Sequence, residues 1–239
     1  MKPLVIIQNI EREGPGLILD LLVKQRLSFT IISAEQYTDY PALAEVSGVI
    51  VLGGPDSAND TTPKIQNELA YIQEVLHKGM PFLGICLGMQ LLVKAVGGEV
   101  VPCPQKELGF RSRKGSLYRV QLTARGQTTP LFDRLPHTFP IFHLHGETVV
   151  PPPEVDVLGT GNQCPIQLIQ WGARAYGIQG HLELTETMLQ RWLTEDPDLQ
   201  QLSTSKLIKD FKTYKTLFRQ AGYQLFHNFI TMVQHHEQD

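Results

Sequence analysis

The sequence predicts an α/β fold in which a mostly parallel sheet carries helices on both faces. Apolar runs of strand length recur in the first half, without alternation between apolar and polar residues. Such runs are typical of strands buried on both faces. Segments of helical periodicity separate them, which indicates parallel strands. The strand segments are PLVIIQN, LSFTIIS, VSGVIVLGG and PFLGI, and the helical ones are GPGLILDLLVKQR, TPKIQNELAYIQEVLHKGM and LGMQLLVKAVGG.

Beyond Gly98 the pattern changes to short strands separated by glycine, proline and asparagine. This pattern favours a second, mostly antiparallel sheet region joined to the first core. Since no low-complexity linker divides the two regions, we predict one domain over residues 1–200. The segment TETMLQRWL, with threonine at its start, predicts a helix near the end of that domain.

Residues 201–239 predict a C-terminal helical extension. Apolar side chains recur there at helical spacing, so the helix is amphipathic. These side chains are Leu207, Phe211, Tyr214, Leu217 and Phe218. We expect the extension to pack on the domain, with Gly222 bending or breaking it. The alternative is that its apolar face binds a partner.

Composition narrows the class of protein. The chain has 239 residues, 42% hydrophobic and 19% charged, which suits one sizeable globular core. A net charge of -3 provides no basic patch for nucleic acid. No apolar stretch of about 18 residues predicts a membrane span, and the N-terminus resembles a first strand rather than a signal peptide. We therefore expect a cytoplasmic protein.

The cysteines number three and lie far apart, with no CxxC motif. This pattern predicts neither a disulfide framework nor a zinc site, and no metal is expected. Cys103 and Cys164 lie in proline-flanked segments without a matched histidine, so we interpret both as structural.

Cys86 lies between two glycines in FLGICLGMQLL, where an apolar run ends and a helical one begins. It is either a small core residue or a nucleophile on a tight strand-to-helix turn. A nucleophile there would point into the cleft at the C-terminal edge of the sheet. Gly84 and Gly88 would let the backbone segments approach closely, as in the G-x-S-x-G elbow. The dipole of the following helix would stabilise a thiolate.

A general base would decide between these interpretations. His181 follows a predicted strand in RAYGIQGHLELT, and Glu183 stands two residues later. Residues i and i+2 of an extended segment face the same side, so Glu183 can orient the imidazole of His181. Taken alone, the pair is more typical of a surface histidine beside a helix-capping glutamate.

Together, GICLGMQLL and YGIQGHLE resemble the motifs of class I glutamine amidotransferases, G-x-C-x-G-x-Q and Q-x-H-P-E. VIVLGGPDSAND is similar to the Gly-Gly-Pro loop of that family. QKELGF and HLHGETV resemble segments of the amidotransferase domain of GMP synthase. The resemblance covers about residues 45–190 and is strongest to free-standing GMP-synthase-like amidotransferases. It implies a flavodoxin-like three-layer sandwich with a central, mostly parallel sheet and an extra small antiparallel sheet.

The resemblance also implies roles for individual residues. Cys86 would attack the glutamine side-chain amide, giving a γ-glutamyl thioester and ammonia, while His181 moves the protons and Glu183 orients it. The backbone amides of Gly54 and Leu87 would form the oxyanion hole. The implied substrate-binding residues are Gly53, Gln90, His145, Gly146 and Glu147.

Each implied binding residue also has a plain structural interpretation. The glycines at 53 and 54 suit a loop after a strand, Gln90 suits a solvent-facing helix position, and residues 145–147 suit a strand-end loop. Three positions depart from the family pattern: Leu182 stands where proline is usual, Gly180 where phenylalanine is common, and Glu147 where many relatives have aspartate.

Three functional hypotheses remain at this stage. The chain releases ammonia from glutamine for an acceptor or a separate synthase subunit, or it is a stand-alone γ-glutamyl amide or peptide hydrolase or transferase. The third is a non-catalytic interaction protein on the same scaffold, against which the intact Cys86, His181 and Glu183 set argues. Neither a G-x-x-x-x-G-K-[ST] nor an S-G-G-x-D-S segment is present, and no cofactor is expected. The oligomeric state is left open.

Overall fold

The structure, a computed structural model, describes residues 2–35 and 39–237. Its strands are β1 (Leu4–Gln8), β2 (Phe29–Ser33), β3 (Gly48–Val51), β4 (Phe82–Ile85), β5 (Glu99–Gly109), β6 (Arg119–Leu122), β7 (Thr138–Pro140), β8 (His143–Val150), β9 (Asp156–Thr160), β10 (Ile166–Trp171) and β11 (Ala175–Ile178). Its α-helices are α1 (Gly16–Gln25), α2 (Pro63–His77), α3 (Leu87–Ala95), α4 (Ala124–Gln127), α5 (Glu186–Glu195) and α6 (Thr204–His236).

Within the described residues, nine strands form one sheet in the order β2-β1-β3-β4-β11-β10-β9-β6-β7. The first five are parallel, and the last four extend the sheet with antiparallel pairing. Strands β5 and β8 pair separately as a small antiparallel sheet. The predicted class, a mostly parallel α/β sandwich with an extra small sheet, is therefore confirmed.

The second half of the chain is organised differently from the prediction in one respect. Most of its strands lengthen the main sheet instead of forming a sheet region of their own. Strand β11, from the segment RAYGIQGH, lies in the parallel part between β4 and β10. All four of its residues are buried, as a strand covered on both faces requires.

Helix boundaries follow the predicted signals. The Thr62 side chain caps α2 by accepting a hydrogen bond from the Ile65 amide, and proline occupies the first helical position. Gly79 follows this helix with φ +62°. Thr185 caps α5 through the Met188 amide at 3.2 Å.

The long helix α6 packs against α1 and the antiparallel part of the sheet. Leu207, Phe211 and Phe218 are buried, whereas Leu217 is 54% exposed and lies outside the apolar face. The helix continues through Gly222, so it does not break there, and the alternative of a bend stays a prediction. A Cβ at Gly222 would lie 2.5 Å from the Leu182 carbonyl oxygen, so glycine serves close packing there.

Aromatic contacts lead from α6 to the carboxyl edge of the sheet. Phe218 packs edge-on against Phe110, with ring centroids 5.4 Å apart, and Phe110 packs in the same manner against Phe142. Phe142 contacts Trp192 of α5, whose ring meets His181 at a centroid distance of 5.0 Å. The C-terminal helix thus supports the segment that follows β11.

None of the helices in the described ranges combines the length and apolar composition that a membrane crossing requires.

Candidate active site

Cys86 ends β4 and caps the N-terminus of α3 in a strained conformation, with φ 52° and ψ -106°. A positive φ in a residue with a side chain is uncommon and is concentrated at functional sites. The Cys86 amide donates to the Ile178 carbonyl at 2.7 Å, which ties the turn to β11. A strand-to-helix turn of this kind places the sulfur at the carboxyl edge of the sheet.

The two flanking glycines make this turn possible. A Cβ at Gly84 would lie 2.3 Å from the carbonyl carbon and oxygen of Gly88, and one at Gly88 would lie 2.3 Å from the Val51 carbonyl oxygen. Both contacts involve backbone, which cannot move aside cheaply. The close approach inferred from the sequence is therefore present.

His181 and Glu183 meet as the i, i+2 spacing predicts. His181 Nδ1 lies 2.7 Å from Glu183 Oε1, and both side chains are buried. The alternative of a surface histidine is thus wrong. Burial alone would lower the pKa of His181, but the Glu183 carboxylate and the nearby Cys86 side chain outweigh it and hold that pKa well above its ordinary value. With Nδ1 committed to Glu183, Nε2 is the ring nitrogen that remains.

The loop after β3 supplies the neighbouring wall. A Cβ at Gly53 would lie 2.9 Å from His181 Cε1 and 3.4 Å from Cys86 Cβ, so no larger residue fits there. A Cβ at Gly54 would lie 3.3 Å from the Leu87 side chain. The structure therefore brings the Gly53–Gly54 backbone beside the N-terminus of α3.

Gln90 and the β8 segment form the opposite wall. Gln90 is buried and donates to the Glu147 carbonyl at 3.2 Å, so it does not face solvent. Residues 145–147 lie within β8, not in a strand-end loop. The Ser57 hydroxyl donates to the Glu147 carboxylate at 2.9 and 3.0 Å. This links β8 to the loop that follows β3.

A cavity of about 430 Å³ opens between these walls, a volume in the range of small-molecule sites. Cys86, Gly54, Gln90 and residues 145–147 line it. Its wall also carries charges that the sequence did not single out, from Arg12, Glu13, Lys106, Asp196 and Asp198. A wall with charges of both signs suits a zwitterionic amino-acid group.

Glu13 is the least expected of these charged residues, because its side chain is buried and faces Gly53 and His181. Burial raises the pKa of Glu13, although His181 and Arg12 act to lower it. Arg12 in turn lies 3.1 Å from Asp196. The sequence did indicate this pair in one way. Charged residues follow the apolar run of β1, and the carboxyl end of β1 lies at the same edge of the sheet as that of β4.

Glu68 of α2 lies buried behind the Gly-Gly loop. The Asn9 side-chain amide donates to Glu68 at 3.0 Å and to the Leu52 carbonyl at 3.2 Å. Burial raises the pKa of Glu68 to about 7, despite the Asn9 hydrogen bond and the nearby Lys64 charge. Glu68 therefore supports the loop best in its protonated form.

We expect Glu68→Gln to stabilise the protein at pH 8 but not at pH 4. A carboxyl whose pKa rises from 4.5 to about 7 on folding binds its proton more tightly when folded. Its stabilising contribution is complete below pH 4.5 and is lost as the pH rises through 7. Glutamine mimics the neutral form, so the gain at pH 8 relative to pH 4 should approach about 3 kcal/mol. Urea unfolding at the two pH values measures it.

Glu74→Gln is the matched control, because Glu74 lies on the solvent-exposed face of the same helix in an ion pair with Lys78. It should change the free energy of unfolding by less than about 1 kcal/mol at either pH. Equal shifts for both variants would contradict the role of the buried carboxyl.

Cys103 and Cys164 lie side by side, and Cys103 has a histidine neighbour that the sequence did not indicate, while their interpretation as structural residues stays a prediction. Their sulfurs lie 2.9 Å apart, and Cys103 Sγ lies 3.6 Å from His145 Nδ1. The bulged β5 and the β9–β10 loop bring together residues that sequence spacing keeps apart. Hydrogen bonds from Cys164 and His145 lower the pKa of Cys103 to about 6, although burial opposes them.

His145 joins two groups of side chains with metal-ligating atoms: Cys103, Cys164 and His145, and Glu107, His143 and His145. Its Nδ1 donates to the Glu147 carbonyl at 3.0 Å, and its Nε2 lies 3.0 Å from Glu107. Burial opposes a charge on His145, but its contacts with Cys103 and Glu107 raise the pKa to about 9. Both ring nitrogens therefore face protein groups.

Two of the departures from the family motif have structural reasons. A Cβ at Gly180 would lie 2.6 Å from the Ile141 side chain and 2.8 Å from the Phe142 carbonyl oxygen, so this chain has no room for phenylalanine. Leu182 is fully buried in the core beneath α6. Neither departure removes His181 or Glu183.

Comparison with known families agrees with this geometry. The model of the family described as glutamine amidotransferase class-I matches residues 16–196. This chain belongs to that family. Solved structures of similar fold include a glutamine amidotransferase from Thermotoga maritima, with a TM-score of 0.84 and 24% identity over 96% of this chain and 98% of that one. A second is the glutamine amido transferase from Methylobacillus flagellatus, with a TM-score of 0.83 and 26% identity over 97% and 95%.

Curated relatives in the class I amidotransferase family share about a third of the aligned residues. GMP synthase [glutamine-hydrolyzing] from Neisseria meningitidis serogroup C is 33% identical over 142 residues, 59% of this chain and 25% of the relative. A putative glutamine amidotransferase-like protein, YfeJ, from Salmonella typhimurium is 30% identical over 150 residues, 61% of this chain and 60% of the relative. The aligned region thus spans a quarter of the GMP synthase.

Proposed function

We propose that this amidotransferase hydrolyses the side-chain amide of glutamine through a γ-glutamyl thioester on Cys86 and releases ammonia. The observation that carries the proposal is the strained Cys86 turn beside a buried His181 whose Nδ1 is bonded to Glu183. These positions support roles for Cys86 as nucleophile, His181 as base and Glu183 as orienting acid in covalent amide hydrolysis.

His181 takes the thiol proton, and the Cys86 thiolate attacks the side-chain carbonyl carbon of glutamine. The Glu183 carboxylate, which helps to hold the pKa of His181 above its ordinary value, stabilises the imidazolium that this transfer creates. The imidazolium then protonates the departing nitrogen, so that ammonia leaves as the C–N bond breaks. In the second half, His181 accepts a proton from water, and the resulting nucleophile cleaves the thioester to glutamate and the Cys86 thiol.

The tetrahedral oxyanion lies between two backbone segments in this proposal. The amide of Leu87 is the first free donor of α3 and carries the positive end of the helix dipole. The Gly54 amide belongs to the loop packed beside it. Two such donors, held before the reaction begins, stabilise the charge as it develops.

We propose that β8 and its neighbours bind the amino-acid end of the substrate. Gly53, Gln90, Gly146 and Glu147 are the contacts, and His145 holds the strand in place. The Glu147 carboxylate is fixed by Ser57 and suits the substrate ammonium. Arg12 on the facing wall suits the α-carboxylate.

Incubating the full chain with glutamine tests the proposal. Ammonia and glutamate should appear in equal amounts, and an electrophilic glutamine analogue should label Cys86 and block turnover. Absence of both turnover and labelling, with or without a candidate synthase subunit, would contradict it.

A panel of γ-glutamyl anilides and γ-glutamyl peptides defines the leaving group. For an ammonia-releasing enzyme, kcat/KM should be highest for glutamine. A higher kcat/KM for the peptides would replace this proposal with a γ-glutamyl peptidase on the same thioester chemistry.

A further inference from the structure

Two thiols that the proposed mechanism does not use meet beside the small sheet. Cys103 lies in β5 and Cys164 in the loop between β9 and β10. The thiol of Cys164 donates to Cys103 Sγ over 2.9 Å. This is shorter than the roughly 3.5–4.0 Å between nonbonded carbon atoms in contact, although sulfur is the larger atom. The two sulfurs are therefore within reach of a covalent bond.

The two cysteines differ in their access to solvent. Cys164 is fully buried, whereas Cys103 is partly exposed. Cys103 Sγ also lies 3.6 Å from His145 Nδ1, so a polar ring faces the more accessible of the two sulfurs. An oxidant from solvent therefore reacts first with Cys103. The buried Cys164 sulfur lies next to it and can react in the second step.

The backbone around both residues is irregular enough to adjust. Pro102 pairs with Glu147 and Glu107 pairs with His145, so residues 103–106 of β5 stand opposite the single residue Gly146. Cys164 lies in a loop. A disulfide needs a sulfur separation of about 2.05 Å, and neither residue has to leave a regular hydrogen-bonded ladder to reach it.

We propose that Cys103 and Cys164 form a reversible intramolecular disulfide when the protein meets a hydroperoxide. The Cys103 thiolate attacks the O–O bond and becomes a sulfenic acid, while the peroxide is reduced to hydroxide or alkoxide. The Cys164 thiol then attacks the sulfenic sulfur, the S–S bond forms, and the sulfenic oxygen leaves as water. A dithiol reductant returns both thiols.

The disulfide would change the wall of the catalytic cavity. It removes the Cys103 thiol as a neighbour of His145, whose Nδ1 donates to the same Glu147 carbonyl that accepts from Gln90. We expect oxidation to raise the KM for glutamine at least threefold with little change in kcat. This consequence rests on the proposed function, whereas formation of the disulfide does not.

Intact-mass measurement on the Cys86→Ser protein tests the disulfide without any need for activity. Only Cys103 and Cys164 remain as thiols in this variant. Treatment with equimolar hydrogen peroxide should remove both thiols, lower the mass by two hydrogen atoms, and give a Cys103–Cys164 cross-linked peptide that dithiothreitol releases. In the further variant with Cys164→Ser, a sulfenic acid at Cys103 should accumulate and react with dimedone.

Three results would overturn the proposal: two thiols that persist after oxidation, sulfinic acid at Cys103 without a cross-link, or dimers joined between chains. A fourth is stoichiometric zinc in the reduced protein that Cys103→Ser removes, which would assign both sulfurs to a metal site. The KM shift is measured on the enzyme with Cys86 intact, oxidised with equimolar hydrogen peroxide and then reduced with dithiothreitol, with the mass of the Cys86 peptide checked for oxidation. If the cross-link forms and KM stays constant, the link to the cavity is wrong.

Discussion

Cys86→Ser should lower glutamine turnover by roughly 10⁴-fold or more, the scale lost when the nucleophile of a covalent triad is removed. Serine keeps the size and hydrogen bonding of the side chain, but a hydroxyl is a far weaker nucleophile than a thiol in this reaction. Ammonia release at saturating glutamine measures the loss. Labelling by the electrophilic glutamine analogue should disappear with it.

Cys103→Ser, assayed in the presence of a reductant, is the matched control and should keep turnover within about threefold of the parent. The thermal midpoint of Cys86→Ser should also stay close to that of the parent, because serine retains the strained backbone at φ 52°. Substantial ammonia release by Cys86→Ser would show that another group carries the reaction.

The parallel half of the fold was predictable because its signals are local. Unbroken apolar runs, the cap at Thr62 and the turn glycine at Gly79 each act within a few residues of their own position. The second half of the chain was predicted only in part. Whether a short strand joins the main sheet depends on a partner distant in sequence, as for β11 beside β4.

The candidate site likewise contains parts with local sequence signals and parts that depend on contacts between distant residues. Cys86 and its glycines, and His181 with Glu183, belong to contiguous motifs whose geometry follows from one turn or one extended segment. The pairing of Cys103 with Cys164 spans 61 positions, and only the fold creates it. Glu68 did carry a local signal, a carboxyl at helical spacing within the apolar face of α2 formed by Ile65 and Ile72.

Gly84→Ala should both destabilise the protein and disable its site, because Gly84 is where the turn is most crowded. The added Cβ would lie 2.3 Å from the backbone of Gly88 and 2.6 Å from the Met89 amide nitrogen. Overpacking of this kind costs about 1–3 kcal/mol and occasionally more. In a chain of this size the thermal midpoint should fall by roughly 5–10 °C.

Gly84→Ala should lose more activity than its loss of folded protein explains. Relief of the clash pushes α3 away from β4, and with it the Cys86 sulfur and the Leu87 amide. A displacement of about 1 Å at reacting groups costs on the order of 10²-fold in rate. Turnover is therefore measured at least 15 °C below the midpoint of the variant, where circular dichroism confirms that the protein is folded.

Gly14→Ala supplies the control, because a Cβ there meets only the flexible Gln8 side chain, at 3.6 Å. The thermal midpoint of this variant should be unchanged or slightly higher, since alanine restricts the unfolded chain. If Gly84→Ala behaved like Gly14→Ala in both assays, the turn would tolerate a wider spacing between β4 and α3. The position of Cys86 would then not depend on the glycines around it, and the elbow interpretation of this segment would fail even if Cys86 were still the nucleophile.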